Sequence, residues 1–145
     1  MNLFSSIETS ASGLTAQRFR LDLISSNLAN AESVQADDGN IYRRKVAIFA
    51  PRTGQSSFKN LLSAEMSNAF GVKVIGVAED NSPLRQVYDP GHPNANQDGY
   101  VTYPNVDVVT EMVDMMAATR AYEANVTAIE ASKAMMQKAL EMLRV

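Results

Sequence analysis

The residues best suited to chemistry in this chain are Asp89, His92 and Asp98, set in the loop YDPGHPNANQDGY. A histidine flanked by two carboxylates can bind a divalent metal or take up a proton as a general base. The surroundings argue for a simpler role. Pro90, Gly91 and Pro93 make a rigid turn, and His92 is the single histidine of a chain without cysteine, so neither a second imidazole nor a thiolate is at hand for zinc. A structural loop is therefore expected, and a loop-centred metal hydrolase acting through His92 is the competing reading. Other chemistries lack parts. The run GVKVIG has no lysine and hydroxyl after a second glycine, so it cannot cradle phosphate, and no serine or threonine is paired with a histidine base. Most of the eight methionines fall after Val106, where flexible thioethers fill apolar seams and a copper or redox role is not expected. Arg43, Arg44 and Lys45 form a short basic run with few aromatics and no wider basic patch, which reads as a solvated strand face and not as a nucleic-acid site. The expectation is an absence of catalytic residues, cofactor-binding residues, metal ligands and cofactors, and a protein that is not an enzyme.

Composition agrees with a non-catalytic role. A chain of 145 residues that is 46% apolar supports one moderate domain, or a small domain joined to long helices. The net charge of −3 gives no reason to expect a polyanion partner. The opening MNLFSSIETSASG has neither a basic region nor a continuous apolar core, so no Sec signal is expected there, and no stretch reaches the length of an integral membrane span.

Two helical patterns frame the chain. From Leu3, steps of four and three select Ile7, Leu14, Leu21, Ile24 and Leu28 as an apolar seam. Gly13 lies inside this pattern at a cost of about 1 kcal/mol relative to alanine, unless close approach of another backbone requires it. The NLAN segment, Asn27 to Asn30, reads as a helix cap carrying two amides. After Val106 a longer pattern selects Met112, Met115, Tyr122, Val126, Ile129, Met136 and Leu140. A helix from Val106 to Leu143 would be about 57 Å long and must run beside something equally long.

The back of this second helix carries Ala117, Ala121, Ala124, Ala128, Ala131 and Met135 where an isolated coiled coil would carry charge. Alanine is a good helix former on any surface, but small side chains also let neighbouring helices approach closely, so these six are the expected inter-subunit packing residues. Between the helices, Ile41–Ala50, Gly71–Ala78 and Gly99–Tyr103 read as short strands, Leu84–Tyr88 as a short strand or an extended link, and 53–70 is open between a loop and a short helix. The expected fold is α+β, with helices over 1–31 and 104–145 pairing as a coiled coil around a small antiparallel β element inserted at 32–103.

The runs SGLTAQRFRLDLISSNLANAES and GYVTYPNVDVVTEMVDMMAATRAYEANV, together with DPGHPNANQDGYV, resemble the bacterial flagellar basal-body rod proteins, in particular their C-type proximal branch. The resemblance covers nearly the whole chain. It implies a structural subunit that polymerises with other rod proteins and with copies of itself into a periplasm-spanning drive shaft transmitting motor torque. It further implies contact with the junction of the MS ring and export gate, passage through the flagellar type III export apparatus without a cleaved signal peptide, and no nucleic-acid partner. In the family the DPGHP loop is structural. A coiled-coil component of a different secretion apparatus, such as an inner rod or needle adaptor, is a further reading, against which the inserted strands and NLAN weigh.

Overall fold

The computed structural model describes residues 3–34, 40–52 and 71–142. In chain order these form α1 (Leu3–Ala29), β1 (Lys45–Pro51), β2 (Val72–Glu79), β3 (Arg85–Tyr88), β4 (Tyr100–Tyr103) and α2 (Val108–Met142). The architecture is α+β, with two long helices and a small β region between them in sequence. That region is two separate two-stranded sheets, β1 with β2 and β3 with β4. The segment 53–70, open between loop and helix in sequence terms, lies outside the described residues.

The helices end where local chemistry ends them. α2 is 35 residues long and starts at Val108 because Asp107 caps it. Asp107 Oδ1 accepts the Val109 N–H at 3.1 Å and Oδ2 accepts the Thr110 hydroxyl at 2.8 Å, which satisfies donors that the first helical turn leaves without a partner. α1 closes at Ala29, where the Asn30 amide side chain bonds the Ser26 carbonyl at 2.8 Å and its backbone N–H reaches the Ser26 and Asn27 carbonyls.

The first strand begins later than its composition suggests. Ile41–Arg44 are not strand residues, because side chains hold them: the Arg44 N–H donates to Asn105 Oδ1 at 2.9 Å, and the Tyr42 hydroxyl reaches Asn27. The β1–β2 ribbon is antiparallel, closed by Asp80 N–H to the Arg44 carbonyl at one end and Arg52 N–H to the Gly71 carbonyl at the other. In β2 the residues alternate strictly, with Val72, Val74, Gly76 and Ala78 half-buried and Lys73, Ile75, Val77 and Glu79 exposed. Gly71, with φ of 94°, must be glycine on two counts: the left-handed backbone and the Ser12 hydroxyl that a Cβ would strike.

The chain forms two compact units, one from 1–19, 48–76 and 118–145, the other from 20–47 and 77–117. In the first, the buried residues are small: Ser12, Ala16, Ala118 and Ser132. Here the Asn125 amide sits 3.0 Å from where a Cβ on Gly13 would lie, so a side chain, and not a backbone, comes close to that glycine. Ser12 docks the ribbon, accepting the Val72 N–H at 3.0 Å while donating to the Thr9 carbonyl at 2.7 Å. In the second unit Ile24, Ala31, Val101, Pro104 and Val106 surround two buried polar residues, Asn27 and Glu111.

The cap of α2 should register in the acid limb of stability. The bond from the Thr110 hydroxyl first, and that from the Val109 amide next, hold the Asp107 carboxyl below the ordinary aspartate range. A depressed folded pKa stabilises above the unfolded value of about 3.9 and stops doing so as pH falls through the folded value. Asp107→Asn keeps an acceptor but removes the titration. In urea unfolding, the stability difference between the parent chain and this variant should shrink as pH is lowered from about 6 to about 2.5; a constant difference would remove Asp107 from the account.

Candidate functional site

The side chains of the histidine loop bond within the loop itself. Asp89 Oδ1 accepts the Gly91 N–H at 3.2 Å, His92 Nδ1 accepts the Asn94 N–H at 3.1 Å, and Asn96 Oδ1 accepts the Asp98 and Tyr100 N–H groups at 3.0 and 2.8 Å. The side chains of Asp89, His92 and Asn96 thus each bond the backbone of their own turn. Among the described residues no group of three His, Cys, Asp or Glu side chains is placed to hold a metal ion.

The polar machinery of the chain lies instead where α1, α2 and β1 meet in the second unit. Glu111 on the first turn of α2 has no solvent-exposed surface, and Asn27 near the end of α1 is 1% exposed. Burying a carboxylate costs several kcal/mol unless charge and hydrogen bonds compensate, so its partners decide whether the fold tolerates it. Glu111 Oε1 accepts from Arg44 Nε at 2.6 Å, and Oε2 accepts from Asn27 Nδ2 at 3.1 Å. The second Arg44 arm, Nη2, reaches Asp114 Oδ2 at 3.1 Å, while Arg20 Nη2 on α1 takes Asp114 Oδ1, also at 3.1 Å. The side-chain bond to Glu111 comes first among the influences that hold the Arg44 guanidinium above the ordinary arginine value, and it prevails over desolvation.

Asn27 uses all of its hydrogen-bonding capacity. Nδ2 donates to Glu111 and to the Lys45 carbonyl at 2.9 Å; Oδ1 accepts the Lys45 N–H and the Tyr42 hydroxyl, each at 2.9 Å. Two donors and two lone pairs are thereby filled. The orientation follows, since a flipped amide would set its NH₂ against the Lys45 N–H and its oxygen against a carboxylate. Because Tyr42 donates to Asn27, it must accept the 3.3 Å bond from Ser26 Oγ. In effect a helix side chain supplies the partner groups that a neighbouring strand would offer to Lys45, so the start of β1 is fixed against α1. A second amide works beside it: Asn105 Oδ1 takes the Arg44 N–H, and Nδ2 donates to the Asp80 carbonyl at 2.9 Å.

Sequence reasoning missed this junction for an identifiable reason. It assigned Arg44 to a solvated face, whereas two acidic side chains of α2 turn it inward. On α2 the apolar pattern that includes Met112 and Val126 places Thr119 and Lys133 on the same heptad row, while the structure buries the residues one step earlier, Glu111, Ala118 and Ser132, and half-buries Asn125. Of the residues selected for an apolar seam, Ile24 is buried; Ile7, Leu14, Leu21, Leu28, Met115, Val126, Ile129 and Met136 are half-buried; Met112, Tyr122 and Leu140 are exposed. Of the back-face residues, Ala117, Ala124, Ala128, Ala131 and Met135 are exposed and Ala121 is half-buried.

Asn27→Ala should be costly out of proportion to its size, because it strands a buried carboxylate oxygen, both polar groups of Lys45 and a tyrosine hydroxyl. A loss of about 3 kcal/mol in unfolding free energy is expected by denaturant titration. A loss below about 1 kcal/mol, the range of an ordinary surface substitution, would show that the junction does not hold the unit together.

Known proteins match the chain at both ends. The family model described as flagella basal body rod protein matches residues 7–34, which include Asn27, and the model described as flagellar basal body rod FlgEFG protein C-terminal matches residues 97–142, which include Glu111. Arg44, which ties the two, lies between the matched segments. The chain is 46% identical to the flagellar basal-body rod protein FlgC of Borreliella burgdorferi over 99% of both chains. It is 48% identical to FlgC of Bacillus subtilis over 97% of this chain and 98% of that one, and 44% identical to FlgC of Escherichia coli O6:H1 over 97% of each. The chain thus belongs to the FlgC family of flagellar basal-body rod proteins and is a structural subunit of the basal-body rod.

Proposed function

We propose that this subunit packs its long helices against other rod proteins and copies of itself in a periplasm-spanning shaft that carries motor torque outward. It does so without catalysis. The observation that carries this reading is a row of apolar and small residues exposed along α2, interrupted by the charged Arg120 and Lys138, which pair with Glu123 and Glu141 on the same helix. Val109, Val113 and Met116 are 69, 55 and 62% exposed, and Ala117, Ala124, Ala128, Ala131 and Met135 continue the exposed row. An apolar surface of that length on a single chain is best accounted for by neighbours that cover it. Alanine suits such contacts, because small side chains let helix axes come close and many interdigitated contacts resist sliding, as torque transfer requires.

Contacts of this kind build a shaft only if they are heterologous and do not close on themselves. The same reading places the junction of MS ring and export gate among its contacts, and the flagellar type III apparatus as its route of export. Among the described residues no helix is long and apolar enough to cross a membrane.

Ala124→Glu tests the back face without disturbing the buried junction. The isolated variant should keep its helix content and lie within about 0.5 kcal/mol of the parent chain, as surface substitutions do. Its incorporation into basal bodies, and with it swimming, should be lost. Normal incorporation of a glutamate at this position would overturn the packed back face.

A further inference from the structure

The two edges of the β3–β4 sheet are treated differently, and the difference specifies a partner. Arg85, Gln86, Val87 and Tyr88 pair with Tyr103, Thr102, Val101 and Tyr100 in antiparallel register. The Asp89 N–H donates to the Gly99 carbonyl at 2.9 Å, so the residues two and four back, Val87 and Arg85, turn their backbone groups toward β4. Gln86 and Tyr88 turn theirs away from it. On the far side of β4 the outward groups of Tyr100, the residue opposite Tyr88, are covered: the Asn96 N–H donates to the Tyr100 carbonyl at 2.9 Å, and the Tyr100 N–H donates to Asn96 Oδ1 at 2.8 Å. Among the described residues nothing covers the outward groups of Gln86 and Tyr88, and all four residues of β3 are exposed. Spare donors and acceptors that recur at strand spacing are complementary to an extended backbone and to little else.

Side chains beside this edge narrow the choice. On the face bearing Arg85 and Val87 lies a cavity of about 420 Å³, lined also by Glu32, Val34, His92 and Tyr103, where alternate side chains of an added strand would fall. The Arg85 guanidinium lies 5.2 Å over the Tyr103 ring and forms no ion pair among the described residues, which leaves its N–H groups for a carboxylate. Pairing of β3 with β3 of a second copy would be two-fold and closed, whereas a rod grows head to tail. We propose that the open edge of β3 receives, as an added strand, an extended segment of a neighbouring basal-body subunit that carries an acidic residue opposite Arg85. This rests on the assignment of the chain to the rod and adds to it a contact made by backbone and not by helix faces.

Amide hydrogen exchange reads the contact directly. In the isolated chain the peptide spanning β3 should exchange its outward amides, Gln86 and Tyr88, rapidly; in purified basal bodies containing the chain these two should slow by about tenfold or more. Equal exchange in both overturns the proposal. Gln86→Pro removes only an outward N–H and should abolish incorporation, while Gln86→Ala, which keeps that N–H, should incorporate normally. Incorporation of a folded Gln86→Pro variant at parent level also overturns it, and should that variant fail to fold, the exchange result for the parent chain decides. A parent chain absent from basal bodies would instead overturn the rod assignment and this contact with it.

Discussion

A carboxylate without solvent access sets the terms for the second unit. Glu111 on α2 is tolerable only while Arg44, just before β1, and Asn27 from α1 both reach it, so three segments distant in sequence must arrive together or not at all. An apolar residue at 111 could slide or rotate at modest cost; an ion bonded at 2.6 Å by a guanidinium cannot. The geometry is further constrained by Asp114, which takes one bond from Arg20 and one from Arg44 and so links α1 and β1 through a second acid one turn along α2. Buried ionic groups contribute little net stability when set against well-packed apolar substitutes, and their gain lies in excluding other arrangements. For this chain the arrangement excluded is a shift of α2 against α1, which would leave Glu111 charged and alone.

The same logic appears in weaker form in the first unit. Ser12 takes the Val72 N–H and so fixes the start of β2, as Asn27 fixes the start of β1. Gly71 and Gly13 are what these contacts demand, one for its left-handed backbone and one for the Asn125 amide beside it. On α2 polar and small residues thus occupy the fully buried positions, Glu111, Ala118 and Ser132, whereas on α1 Ile24 shares them with Ser12, Ala16 and Asn27. An isolated subunit therefore presents Val109, Val113 and Met116 to solvent, which an independent globular protein would not need to do.

That inversion explains what was legible from residues alone. The element order, the lengths of the helices and the strict alternation of β2 follow from periodicity and turn chemistry. The inward face of α2 does not, because a rule that seeks apolar repeats passes over Glu111, Asn125 and Ser132 and settles one residue later. Arg44 was hidden for a similar reason: beside Arg43 and Lys45 it looks like one charge of three on a wet strand, and only the fold brings Glu111 and Asp114 to it. The signal that was present lay in NLAN, whose two amides divide the work, Asn30 capping α1 while Asn27 is buried against Glu111 and Lys45. A buried amide cannot be told from a capping one by sequence position, since both stand at the end of the same helix.

The central claim is that Glu111 and Arg44 act as a unit, and a double-mutant cycle on unfolding free energy tests it most directly. Glu111→Leu and Arg44→Met should each destabilise by about 2 to 4 kcal/mol, since the first leaves Arg44 with Asp114 alone and the second leaves a buried carboxylate with Asn27 alone. The double substitution should recover much of that loss, giving a coupling of about 2 kcal/mol or more. Simple additivity within about 0.5 kcal/mol would show that the buried carboxylate does not depend on Arg44, and the account of how the helices and β1 are held together would fail.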